Sequence, residues 1–460
     1  MNINVLRPSF LNKEYNILDY GAKSDNDFNN RLAIQKAIDE CNKNGGGTVL
    51  VPNGFYITGP IEIKSNVNIH LEAGAYIKFL KSKEEYPLIW TEYEGIKRIR
   101  CKSPISAKNA SNIAITGKGI IDGNGGLWRG VKEFKVTKKQ WDKLLEKSSY
   151  TIKGNDGLIW CPTETYYNGV IKGEPDYNLA NALEIASECY DNYRPVLVSL
   201  IECDKVLIEG VTLMNSPAWN LHPLYCTNFT LKDAQIKNPS FAQNGDGLDL
   251  ESCKNCEIVN TDFSVGDDGI CVKSGKNREA RKRAFPTENV WIHDCRVYDA
   301  HGGFVVGSEM SRGVKNVLVE NCSFSGTDIG IRFKSAYGRG GVVEDITIKN
   351  IAMNNIVNEA IIFTMGYVFT TIEDNKDNSN KYDMDDIPEF KNIYMDNLTC
   401  NSSKVALKIL GLPEKKIHDI TLKNSKINAK SDLNLTLCEN IKLVNTKIND
   451  KLYKEDTFNN

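Results

Sequence analysis

Asp246, Asp267, Asp268 and His301 stand just before glycine-led runs whose residues alternate apolar and polar: Gly247-Leu248-Asp249-Leu250-Glu251, Gly269-Ile270-Cys271-Val272-Lys273 and Gly303-Phe304-Val305-Val306-Gly307. Aligned on the glycine, Asp246 and Asp268 share the position one before it, and Asp267 and His301 the position two before. If the runs are successive parallel strands, ~4.8 Å apart, Asp246 neighbours Asp268 and Asp267 neighbours His301. Carboxylates so close resist simultaneous ionisation, which can hold one protonated near neutral pH while the others remain bases. Hydrolysis of a glycosidic bond by inversion needs that division: an acid for the leaving oxygen and carboxylate to activate water. A single aspartate beside glycine is as readily a turn residue, and an acidic ladder can simply be solvated or bind calcium. Four groups in register weigh against both.

A fourth run, Gly330-Ile331-Arg332-Phe333-Lys334, puts Arg332 and Lys334 on the same face, two coils and ~10 Å along the wall from Asp267. A guanidinium beside an ammonium suits the carboxylate of an anionic sugar; solvated surface charge is the bland alternative. Lys273, outward in its own run, and Asn244, two residues before Asp246, lie on the same wall and are further candidates for binding.

These groups need a scaffold that repeats. A strand signal of the form Asn-φ-x-φ recurs at Asn112, Asn228, Asn255, Asn289, Asn316 and Asn440, with variants beginning at Lys205, Asp345, Asn392 and Asp419, most spaced about 21 to 34 residues apart. That period marks a solenoid in which each coil buries its apolar face only by stacking on its neighbours. The asparagines then form a ladder at a coil turn, and Leu248, Leu250, Ile270, Val272, Phe304, Val306, Ile331 and Phe333 point inward, leaving an outward face for binding. Cys203, Cys226, Cys253 and Cys438 each stand three residues before a strand start, and Cys295 and Cys322 five after, as stacked core fillers would. The thirteen cysteines, odd in number and spread along the chain, read as free thiols.

Before the coils, Asn30 is placed to cap a helix from about Arg31 to Asn44, with Ala33, Ile34, Ala37, Ile38 and Cys41 along one stripe, closing the open end of the solenoid. The expected organisation is one solenoid domain over 1–460, with cap and first coils in 15–80 and an insertion over 127–195 beside the site, including a helix around Lys138 to Lys147. Lys and Arg number 57 against 59 Asp and Glu, net charge -2, so no global field steers the chain to nucleic acid or an anionic membrane. Residues 1–20 show no apolar core of a signal peptide or membrane span. A cytoplasmic location is expected if Met1 is the natural start, and a secreted one if the true start lies upstream.

The motifs Asn244-Gly245-Asp246, Gly266-Asp267-Asp268, Ala300-His301-Gly302 and Arg332-Phe333-Lys334, in that order, resemble the N-T-D, G-D-D, G-H-G and R-I-K of glycoside hydrolase family 28, the polygalacturonases. Tyr20-Gly21-Ala22, Ala33-Ile34-Gln35-Lys36-Ala37-Ile38 and Gly45-Gly46-Gly47 resemble the family's opening. The resemblance implies an all-β fold, a single-stranded right-handed parallel β-helix. It also implies Asp267 as general acid, Asp246 and Asp268 holding the attacking water, His301 tuning the acid's proton, and Arg332 and Lys334 binding galacturonate. No cofactor and no metal are implied; the expected partner is polygalacturonate or a pectic oligosaccharide, with oligomeric state open. The run from His301 to Met310, with Arg339-Gly340-Gly341-Val342-Val343-Glu344, is similar to the bacterial exo-acting branch, and the 127–195 insertion would wall the cleft at one side. His222 is either a contact near the substrate's non-reducing end or a core residue beside Trp219. The rivals are a rhamnogalacturonan or other pectic side-chain hydrolase, a calcium-dependent lyase on the same architecture, and a non-catalytic carbohydrate-binding β-helix.

Overall fold

The computed structural model describes residues 3–154, 157–283, 285–367 and 382–460. The chain winds as a right-handed parallel β-helix. Among the described residues, one parallel sheet runs through eleven strands, and the other faces of the coils join in a second network of 23 strands. The site depends on a hairpin, β1 (Leu88–Tyr93) and β2 (Ile96–Cys101), and on five consecutive strands of the eleven-stranded sheet. These are β3 (Leu221–Leu224), β4 (Leu248–Glu251), β5 (Asp268–Lys273), β6 (Gly302–Val306) and β7 (Ile329–Lys334).

Alternation fixes the register. Leu248 pairs with Ile270, Ile270 with Phe304 and Phe304 with Ile331, while Leu250, Val272, Val306 and Phe333 form the adjacent column. All eight side chains are at most 1 % exposed. Burying each contributes ~1.5–3 kcal/mol, and a slip of one residue would exchange them for the polar set. The column continues with Phe333 stacked on Phe363 at 4.5 Å.

The turn ladder follows from backbone conformation. Asn112, Asn228, Asn255, Asn289, Asn316 and Asn440 all adopt φ between 52° and 59°, the left-handed region that asparagine tolerates because its short amide bonds locally. Asn289 donates to Asn255 Oδ1 at 3.0 Å, and Asn316 donates in turn to Asn289. The variant positions Lys205, Asp345, Asn392 and Asp419 share the conformation.

Helix α1 (Arg31–Lys43) buries the five residues of its expected stripe and packs on the early strands Gly47–Val51 and Ile61–Glu62. Asn30 does not cap it. Its carboxamide, fully buried, accepts from Lys23 N at 2.7 Å and donates to Ile57 O at 3.1 Å, so it ties loop to coil instead. Within 127–195, Val131–Lys132, Thr151–Gly154 and Gly157–Trp160 form a sheet separate from the coils, joined by α2 (Lys138–Leu145) with a Thr137/Gln140 capping box. All thirteen cysteines are buried and free.

The outward face is less open than alternation implies. Asp249, Glu251, Cys271 and Val305 are 0 % exposed. The β1–β2 hairpin and the segments that follow each strand cover them. Among the described residues no helix is long and apolar enough to cross a membrane.

Candidate active site

Backbone bonds between coils set the acidic groups side by side. Gly247 N donates to Asp268 O, and His301 N to Asp267 O, each at 2.9 Å. Asp246 therefore stacks beside Asp268 and Asp267 beside His301. A side chain at Gly247 would place Cβ 2.5 Å from Gly269 O, so only glycine lets the coils approach here. The three aspartates each offer an oxygen within 4.8 Å of the others, a spread that could also hold a cation. Two positive charges are already present: Lys334 reaches back across two coils to put Nζ 2.7 Å from Asp268 Oδ2, and Arg332 lies 3.9 Å from Oδ1. The stem of Lys334 is long enough to cancel the two-coil offset between the backbones.

Burial and neighbouring charge separate the carboxyls. Burial, then the charges of Asp249, Asp267 and Asp268, push the Asp246 carboxyl well above its ordinary range. Burial also acts to raise Asp267, but the hydrogen bond and charge of His301, 3.1 Å away, with Lys334 and Lys273, hold it below the usual carboxylate range. Asp246 is thus pushed up while Asp267, the expected acid, is held down. For His301, burial opposes charge, yet the bond to Asp267 and the charges of Asp267 and Asp268 raise its basicity, with Lys135 acting against. Lys334 is raised despite burial, because it faces Asp268.

The remaining expected binding residues are mostly enclosed. Asn244, exposed and at φ 50°, accepts from the Arg194 guanidinium at 2.8 Å; Arg194 also donates to Pro217 O and Gln243 O and so fixes the loop carrying Asp246. Lys273 is an internal counter-ion, 3.0 Å from Glu309 and 3.3 Å from Asp249, with Nζ 4.4 Å over the Trp219 ring. His222 is 1 % exposed, edge-on to Trp219 at 5.0 Å, with Nε2 2.7 Å from Glu251. It follows the strand's alternation outward, but the Trp219 and Tyr93 rings lie against it. Burial pulls its basicity down to about 4 and pushes the Glu251 carboxyl up to about 8.

Residues 163–449 match the model of Glycosyl hydrolases family 28, and residues 15–81 that of Rhamnogalacturonase A/epimerase, pectate lyase-like. The chain belongs to glycosyl hydrolase family 28. It is 30% identical over 363 residues to an exo-poly-alpha-D-galacturonosidase of Dickeya chrysanthemi, an alignment covering 77% of this chain but 57% of that protein's length. It is 28% identical over 410 residues to an endo-polygalacturonase of Pectobacterium carotovorum subsp. carotovorum, covering 86% and 84% of the two chains. The crystal structure of a hyperthermoactive exopolygalacturonase from Thermotoga maritima superposes with a TM-score of 0.79 at 28% identity, over 99% of this chain and 96% of that one.

Three features of this family-28 cleft escaped the repeat pattern. The first is a wall. Trp219 and Asp246 stand two residues before the paired Leu221 and Leu248, so Trp219 occupies the aspartate column one coil earlier, and the Tyr93 ring stacks on it at 4.2 Å. Arg100 covers Tyr93 at 4.0 Å, and Arg98 and Arg100 both approach Glu174. The hairpin tip docks on the segments after β3 and β5: Tyr225 donates to Gly95 O, Lys276 pairs with Glu94, and a Cβ at Gly95 would lie 2.7 Å from Gly275 Cα. Residues 88–101 thus build this side of the wall, and 127–195 adds Glu174 and Tyr177 against the hairpin and Lys135 at His301. Its sequence signal is not a period but two short runs containing β-branched and aromatic residues on either side of Glu94-Gly95. The second feature is Tyr367, whose ring faces Arg332 at 5.2 Å and Lys334 at 4.9 Å. The third is Lys135, Nζ 2.9 Å from His301 Nε2. Neither of these residues carries any periodic signal.

Proposed function

We propose that this chain hydrolyses α-1,4-galacturonosidic bonds with inversion and removes galacturonate from chain ends of polygalacturonate or oligogalacturonides. The observation that carries the reading is the position of the three carboxylates between a cationic side, Arg332 and Lys334, and the closed aromatic side made by Tyr93 and Trp219, one coil from Asp246. A polymer threading past the aspartates would meet those rings. A terminal sugar fits against them, with its neighbour's uronate near Arg332. The exo-acting names of the Dickeya and Thermotoga relatives support the same choice.

Asp267, the most accessible of the three, with its side chain 22 % exposed, protonates the leaving oxygen. Asp246 and Asp268 hold the water. Uronate binding at Arg332 and Lys334 adds negative charge and draws off a cation that holds Asp267 down, which moves the acid's proton toward Asp267 as substrate arrives. By separation alone, a cluster within 4.8 Å stands nearer the ~5–5.5 Å of retaining pairs than the ~6.5–9.5 Å of inverting ones. Against retention, Asp268 is 1 % exposed with one oxygen held by Lys334, and Asp246 is 4 % exposed and favours its proton. Neither suits attack on an anomeric carbon, whereas water is small enough to reach both.

Incubation with trigalacturonate, followed by proton NMR, tests the scheme. Galacturonate released first with the β-anomer in excess is expected. A ladder of intermediate oligomers from long polygalacturonate would overturn the exo reading, α-anomer the inversion, and an unsaturated product the hydrolysis. Asp267→Asn is expected to keep oligogalacturonide binding and to lose turnover by ~10²–10⁴-fold or more; a purely carbohydrate-binding β-helix would show no turnover to lose.

A further inference from the structure

Lys135 lies in a short 3-10 turn, Glu133–Lys135, inside the insertion, half-buried, with Nζ 2.9 Å from His301 Nε2. The other ring nitrogen, Nδ1, is 3.1 Å from Asp267 Oδ1. Two N–H donors cannot face each other at 2.9 Å, so one nitrogen of the Lys135 to His301 contact must present a lone pair. An ordinary lysine is basic by ~4 units more than an ordinary histidine, which leaves the lone pair on Nε2 and the imidazole N–H on Nδ1, aimed at Asp267.

This matters to the one proton that His301 and Asp267 share when the acid is armed. In one arrangement it sits on Nε2, giving imidazolium beside carboxylate, and cannot reach the glycosidic oxygen. In the other it sits on the outer oxygen of Asp267, and a neutral imidazole steadies the inner oxygen through Nδ1–H. We infer that Lys135 is a positioning residue that biases this shared proton toward Asp267, by converting a donor-to-donor clash at Nε2 into a hydrogen bond. Every charged group facing the ring enters the balance. Asp267 and Asp268 favour imidazolium, and so does Asp328, 3.8 Å from Nε2; Lys135 is the cation set against them. The inference rests on Asp267 acting as the acid.

The experiment uses the full chain with its histidine rings labelled with ¹⁵N, the His301 signals assigned by loss in His301→Asn, and turnover measured on trigalacturonate. The ring of His301 is expected to lose its Nε2 proton about one pH unit later in Lys135→Met than in the unsubstituted chain, because the cation set against its protonation has gone. Lys135→Met is also expected to lower kcat about 10-fold, equivalent to one pK unit, with KM changed less than twofold. Its basic limb moves to higher pH, because a cation has left the pair. Lys135→Arg, which still donates, is expected to restore the ring signal and kcat. A ring titration unchanged in Lys135→Met overturns the inference. So does a fall in kcat with an unchanged titration, or a shifted titration with unchanged kcat. The titration needs no substrate, so it stands even if trigalacturonate is not turned over, and Lys135→Gln, read in the same way, replaces Lys135→Met if that variant fails to fold.

Discussion

Lys273 and Lys334 occupy one column of the eleven-stranded sheet, two coils apart with Gly307 between them, yet they end in different environments. Lys273 is locked between Glu309 and Asp249 beneath Trp219, on the closed side of the aspartates. Lys334 holds one carboxylate, Asp268, and faces Tyr367 and Arg332 on the cationic side. Position in the repeat decides where a side chain starts. What covers it differs: the Trp219 ring lies over Lys273 and the half-exposed Tyr367 over Lys334.

The sharpest break in that comparison comes from exchanging each lysine for methionine. Lys334→Met is expected to cut kcat by ~10²–10³-fold, the scale for losing one preorganised charge at a reacting centre, while the chain remains folded. Lys273→Met is expected to act on stability first, costing ~3–5 kcal/mol because Glu309 and Asp249 are left buried without their counter-ion. Initial rates and thermal melts on both variants check the contrast, and a Lys273 variant of native stability with a selective loss of kcat would erase it.

A middle-sized effect is expected from the wall. Trp219→Ala together with Tyr93→Ala opens the closed side, so early products from long polygalacturonate should change from monomer to a mixture of lengths, read by chromatography. Monomer alone from the double variant would mean that something other than these rings ends the cleft.

The smallest effect is a slope. Glu251 has its carboxyl raised from the ordinary 4.5 to about 8, so the folded chain binds a proton there that the unfolded chain releases. Its contribution to stability is complete below pH 4.5 and is lost as pH rises through about 8. His222, lowered to about 4, works the other way, gaining stability as pH rises from 4 to 6.5. Between pH 6.5 and 8 the losses at Glu251 and at Asp249, raised to about 7, continue, and the raised Asp246 and His301 act in the same direction. Urea titrations should show stability falling over that interval, with Glu251→Gln flattening the fall.

The coils were legible because each repeats the same two constraints, an apolar residue at every second position and a left-handed asparagine at the turn. The stacking of Asp246 on Asp268 and of Asp267 on His301 needed only that register. Side-chain reach was not legible: Lys334 arrives at Asp268 from two coils away, and His222 and Lys273 look outward by alternation but lie under aromatic rings. Groups contributed by unrepeated segments, Tyr93 and Lys135, have no period to betray them, because long-range docking and not local pattern places them. Asn30 shows the same limit in miniature: its helix was foreseeable, but its amide is taken by a loop closer to it in space than the helix end.

The β1–β2 hairpin is a pendant on the solenoid, held at its tip by Gly95 against Gly275 and along its flank by Glu174. Its two strands form a sheet of their own, outside the register of the coils. On the proposed reading, where along a polymer the chain cuts is set by this loop and how it cuts by the coils, two properties carried by separate stretches of sequence.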